Sequence, residues 1–159
     1  MIKNWCLFMS TIRYAFILFM SAFYVLACAK DDSPQEIVSA LYKDWGHQQD
    51  NPIQKQSLTI LKKYFSSDLA DLLDADNKCV NEGYVCNLDF NLLWNSQDPV
   101  AEKATISLGS TSDEAIVQIP GLQNKTEKII FKLKEESGEW KIDDIQYPKI
   151  PSLKKQLSQ

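Results

Sequence analysis

The stretch Lys128-Ile129-Ile130-Phe131-Lys132-Leu133-Lys134 decides the fold. Ile129, Phe131 and Leu133 fall on one face and Lys128, Lys132 and Lys134 on the other, the two-residue period of a strand with one buried side. The lysine row reads as the wet face of that strand. Working outward, Glu139 to Tyr147 carries Trp140, Ile142 and Ile145, with a change of phase near Asp143-Asp144. Upstream, Asp113 to Pro120 carries Ile116, Val117 and Ile119, and Glu102 to Leu108 sets Ala104, Ile106 and Leu108 on one face. Gly109-Ser110, Gly121 to Asn124 and Ser137-Gly138 supply the turns between these segments. Consecutive strands with short turns predict an antiparallel sheet of about four strands.

The first half reads as helix. Ser33-Pro34-Gln35-Glu36 is a capping-box start with proline at the first helical position. Ile37, Val38, Leu41, Tyr42 and Trp45 then share one face, and Gly46 ends the run near His47. A second helix is expected from Pro52 to Phe65, and a short third one, capped within Ser66-Ser67-Asp68, with Leu69, Leu72 and Leu73. One helical turn is expected between Leu88 and Pro99, built on Phe90, Leu93 and Trp94. Helices followed by hairpins define the α+β class, here N-terminal helices packed on an antiparallel sheet.

The chain has 159 residues, the size of one domain, with 45% hydrophobic and 24% charged residues. That composition excludes collagen-like, low-complexity and long disordered classes. With 17 basic against 21 acidic residues and the basic ones scattered, no nucleic-acid partner is expected.

Tyr14 to Ala29 carries no charge and follows Lys3 and Arg13. A basic start, a short apolar core and small residues at its end mark a secretory signal peptide, and the run is shorter than a membrane span needs. A retained single anchor is the competing reading. Translation from Met9 instead of Met1 gives a more usual signal. Val25-Leu26-Ala27-Cys28 resembles the bacterial lipobox, in which the signal is cut before a cysteine that carries lipid. That makes residues 1–27 a lipoprotein signal, Cys28 the lipid attachment, and residues 28–32 a short polar tether to a membrane. The location is then the cell envelope, facing the periplasm. Ordinary cleavage after Ala29 is the alternative and gives a soluble periplasmic domain. Losing residues 1–27 moves the net charge from −4 to −6, and an acidic domain seeks basic partners.

Cys79 and Cys86 remain, in a compartment where disulfides persist, with Gly83 between them to turn the chain. A disulfide is expected there. Zinc is the other option, but it wants four ligands and the chain has one histidine, so no metal and no cofactor is expected.

Three segments together resemble a bacterial envelope family of unknown function with a Gln-Asp step. They are Ser33-Pro34-Gln35-Glu36-Ile37-Val38 with Leu41-Tyr42, Leu88-Asp89-Phe90 with Gln97-Asp98, and Gly138-Glu139-Trp140-Lys141-Ile142-Asp143-Asp144-Ile145. The resemblance covers residues 33–147 and leaves 148–159 as a C-terminal tail. It implies a fold similar to nuclear transport factor two (cystatin-like in outline), a curved sheet wrapped around helices as a cone. Some relatives look like immunity proteins that block wall-degrading toxins.

Cone folds can hold a pocket at the open end, where Tyr42, Asp89, Trp94, Gln97 and Asp98 are the candidates. Each also has a scaffold reading. Asp89 can cap the turn at Phe90, Asp98 can open a turn before Pro99, and Gln97 can bond nearby backbone. Trp45, Trp94 and Trp140 read as core, and His47 as a solvated cap. The only arginine is Arg13, and the chain has no phosphate loop and no nucleophile elbow, so an enzyme is not expected. What remains is a protein-binding module. Asp68, Asp71, Asp74 and Asp76 cluster before the cysteine loop, whose tip is Tyr84, and Asp71, Asp74 and Tyr84 are the candidate partner contacts. The alternative function is a carrier or weak enzyme that holds a small apolar ligand inside the cone.

Overall fold

The computed structural model describes residues 33–81, 86–99, 103–120 and 125–159, which lie within one compact unit. The expected signal peptide, the expected tether with Cys28, and Tyr84 fall outside the described residues.

Helix α1, Pro34–Trp45, starts as its sequence dictates, with the Ser33 hydroxyl accepting from the Glu36 N–H and proline in the first turn. Gly46 closes it by donating to the Tyr42 carbonyl at 2.8 Å. A Cβ at Gly46 would stand 2.4 Å from that carbonyl oxygen, so only glycine permits the approach. The expected second helix is two pieces: a 3₁₀ turn at Ile53–Lys55, then α2 at Leu58–Tyr64. Gln56 and Ser57 are extended between them, and Ser57 starts α2 anew. Helix α3, Ser67–Asn81, is longer than expected. The Ser66 hydroxyl accepts from the Leu69 N–H, and Glu136 accepts from the Ser67 N–H at 3.0 Å. That carboxylate meets the positive end of the helix.

The sheet holds β1 Thr105–Leu108, β2 Glu114–Pro120, β3 Thr126–Glu136 and β4 Glu139–Gln146, antiparallel and in sequence order. Ser137 and Gly138 both have positive φ, 57° and 81°, as the tight hairpin between β3 and β4 requires. The expected phase change is a bulge. Lys132 faces Asp144 while Leu133 faces Ile142, so Asp143 is the extra residue. Ile142 and Ile145 are thereby both buried although three apart, and Asp143 turns toward the helices.

Ile129, Phe131 and Leu133 are buried as their alternation predicts. Leu108 is not: it is 58% exposed, at the far end of the edge strand. Beside it, α1 reaches β1 at Ile106, whose carbonyl accepts from Gln35 Nε2 at 3.1 Å. Tyr42 packs edge-on against Trp94 and Phe131, filling the space between α1 and the sheet.

The helices are not all N-terminal. Residues 148–159 carry α4, Leu153–Leu157, with Leu153 and Leu157 buried. Lys154 ties it down, reaching Asp143 at 2.9 Å and Asp68 at 3.3 Å, while its N–H bonds Asp144. Lys134 joins the same two carboxylates at 3.0 and 3.2 Å. Burial pushes the Asp143 carboxyl up, but hydrogen bonds from Lys154, Lys134 and Ser66 outweigh it and hold it below the usual range. Hydrogen bonds from Lys134 and Lys154 lower Asp68 too. Both are depressed relative to the unfolded chain, so their contribution is complete above about pH 4 and is lost as pH falls through the folded values. Urea midpoints measured from neutral to acid pH are expected to hold level and then drop. Lys154→Ala should flatten that acid limb.

Candidate functional site

Residues 86–99 form no helix or strand, so their buried backbone groups need partners from elsewhere. Side chains supply them. Tyr42 donates its hydroxyl to the Leu93 carbonyl at 2.5 Å, and Tyr147 donates to the Leu92 carbonyl at 2.8 Å. Gln54 Nε2 donates to Phe90 at 3.0 Å and Gln156 Nε2 to Asn87 at 2.8 Å. Asn91 accepts from the Leu93 N–H, and Trp94 Nε1 reaches back to the Gly46 carbonyl at 2.9 Å. Burial raises the phenols of Tyr42 and Tyr147 above their ordinary value, so both stay protonated and donating.

This fastened segment walls a groove of about 410 Å³, opposite the Ile53–Lys55 turn and the C-terminal half of α3. Its lining includes Gln54, Asp76, Asn77, Asp89, Phe90 and Gln97. Asp76 accepts from the Asn87 N–H at 2.8 Å, and Asp89 accepts from Gln97 Nε2 at 3.0 Å. At its edge the expected disulfide joins Cys79, on α3, to Cys86, with Cα atoms 6.0 Å apart. The bridge closes a short loop, so Cys79→Ser with Cys86→Ser should cost about 2–3 kcal/mol in urea unfolding under oxidising conditions. Reduction of the native chain should cost the same.

The five candidate pocket residues do not converge. Asp89 and Gln97 line the groove and bond each other, in place of the turn cap and the backbone bond expected of them. Tyr42 and Trp94 border a second, more open hollow of about 390 Å³ with His47 and Lys103. Trp94 is buried as core, and Trp45 and Trp140 are half-buried. Asp98 is exposed and lines neither hollow. The helical turn expected around Phe90 and Trp94 is a hydrogen-bonded turn, where Asn91 pairs with Ser96 and Asn95 takes a φ of 48°.

The acidic run on α3 is paired within the molecule. Asp71 meets Lys62 at 3.0 Å and Asp74 meets Lys78 at 2.6 Å. The residues that sequence reasoning missed are Gln54, Asn91 and Tyr147. Tyr147 ends the alternation of the last strand, which was the signal available for it. No local pattern marks a glutamine or an asparagine as buried.

The groove can accept and donate hydrogen bonds through its amides and carboxylates. Among the described residues no group of His, Cys, Asp and Glu is placed to hold a metal, and no helix is long and apolar enough to cross a membrane. No family model, curated protein or solved structure matches the chain.

Proposed function

We propose that the chain is a non-enzymatic lipoprotein of the bacterial cell envelope, anchored through Cys28 and facing the periplasm, whose domain binds another protein. The observation that carries this reading is the Cys79–Cys86 bridge at the edge of the groove. Disulfides persist in exported compartments, and a wall fixed in advance loses little entropy when a partner settles on it. The uncharged run ahead of Cys28 points to the same compartment. We read the helices and sheet as the cone of the envelope family resembled above, in which the partner is a wall-degrading toxin and the chain its immunity protein.

The groove's chemistry supports binding over catalysis. Its carboxylates already accept hydrogen bonds, and in the second hollow the Tyr42 phenol is committed to the Leu93 carbonyl. A carrier with its ligand inside the cone has less support, because Tyr42, Trp94 and Phe131 occupy that space.

The test is capture by the disulfide-intact domain from envelope and secreted fractions of its host, then an activity assay on what is captured. A stoichiometric basic wall hydrolase, inhibited when the domain is added, is the expected result. A blank from material where the protein is abundant overturns the binding module. A captured hydrolase with unchanged activity overturns the immunity role alone.

A further inference from the structure

Gln54 is only 9% exposed and stands in the groove wall, half satisfied. Its Nε2 donates to the Phe90 carbonyl, while its Oε1 is buried with no hydrogen-bond partner. A buried acceptor left open is a standing cost that a ligand donor removes. The last torsion of a glutamine is broad, so the amide can turn to meet a guest within the tolerance of its Nε2 bond to the Phe90 carbonyl. The charged groups of the lining are Asp76, Asp89 and the exposed Lys55, which leaves the wall acidic by one charge. Each carboxylate accepts on one oxygen, Asp76 from Asn87 and Asp89 from Gln97. Phe90 and Leu88 add apolar surface to the lining. The wall is thus rich in acceptors and short of positive charge.

We propose that this groove binds an extended, basic stretch of a partner polypeptide. A backbone N–H of that stretch meets Gln54 Oε1, and a lysine or arginine side chain lies between Asp76 and Asp89. The inference rests on the binding-module reading and names its contact surface. Its chemistry is that of acceptors meeting donors, with the charge of the wall opposite to that of the guest.

The test uses acetylated, amidated peptides of glycine with one central lysine, glutamate or glycine, followed by amide-detected NMR on the disulfide-intact domain. The lysine peptide is expected to shift the Gln54, Asp89 and Phe90 signals with millimolar affinity. Gln54→Met should weaken it about tenfold. Because that change also removes the bond to Phe90, a second variant is needed. Asp76→Asn with Asp89→Asn keeps hydrogen-bonding groups and should weaken the lysine peptide while leaving the glycine peptide unchanged. A structural role alone would move both peptides together. Equal binding of the glutamate peptide overturns the proposal, as does silence of the groove signals. A chitin oligosaccharide that shifts them when the lysine peptide does not assigns the site to a glycan and overturns it too. If partner capture succeeds and these variants leave it unchanged, the groove proposal fails and the binding module stands. If the lysine peptide binds and capture is blank, the groove's preference for a basic stretch stands while the module reading, and with it the partner, fails.

Discussion

A chain cut after Lys149 is expected to lose about 3–6 kcal/mol, from the burial of Leu153 and Leu157 at about 1.5–3 kcal/mol each. Domains of this kind have about 5–15 kcal/mol in all, so the cut chain is left marginal or unfolded. More than two leucines go. The cut also removes the N–H that meets Asp144, the amine shared by Asp143 and Asp68, and the Gln156 amide on the Asn87 carbonyl. Lys154→Ala alone should cost much less, since the pairs it makes are partly solvated and Lys134 still serves both carboxylates. Urea unfolding of the full chain, the point variant and the cut chain separates the two terms. A cut chain within 1 kcal/mol (about one hydrogen bond) of the full one would show that α4 adds nothing to the core.

Tyr42→Phe and Tyr147→Phe should each cost about 1–3 kcal/mol, because each leaves a buried carbonyl without its donor. Both rings still fill their space, so little of the loss is packing. The two hydroxyls hold neighbouring carbonyls, Leu93 and Leu92, in one turn. The double variant is therefore expected to fall short of the sum, since opening the turn once lets water reach both. A double-mutant cycle in urea measures that coupling. Hydrogen exchange at the Leu93 amide should speed up in either single variant. Unchanged stability in both would mean that the turn is held by Asn91 and Trp94 instead.

Much of the architecture was legible because it depends on short-range rules. The alternation at Lys128 to Leu133, the cap at Ser33, the Ser137-Gly138 turn and the phase slip at Asp143 are each written in a few neighbouring residues. The misses share a cause. The broken second helix, the packed α4 and the partners of residues 86–99 depend on contacts between residues far apart in the chain. The same holds for the site: Asp89 and Gln97 were singled out, but their bond to each other spans an irregular loop. Gln54 was invisible, because a polar side chain is expected outside until tertiary packing puts it in. The acidic run on α3 was read correctly as charge, yet Lys62, Lys78, Lys134 and Lys154 neutralise much of it from other turns and elements.

The sheet order follows the chain order, strand by strand. Each hairpin therefore closes over a short loop, at small entropic cost and high speed. Joining the helical half is another matter, since Phe65 has to meet Ile142 across the whole length of the sheet region. Folding is expected to proceed by rapid zipping of β1 to β4, with docking of the helices as the slow step. Weakening either the β3–β4 hairpin, formed before that step, or the Phe65–Ile142 seam, formed in it, would then slow folding. The Cys79–Cys86 bridge spans seven positions and can close before or after docking, so oxidation imposes no order on the process.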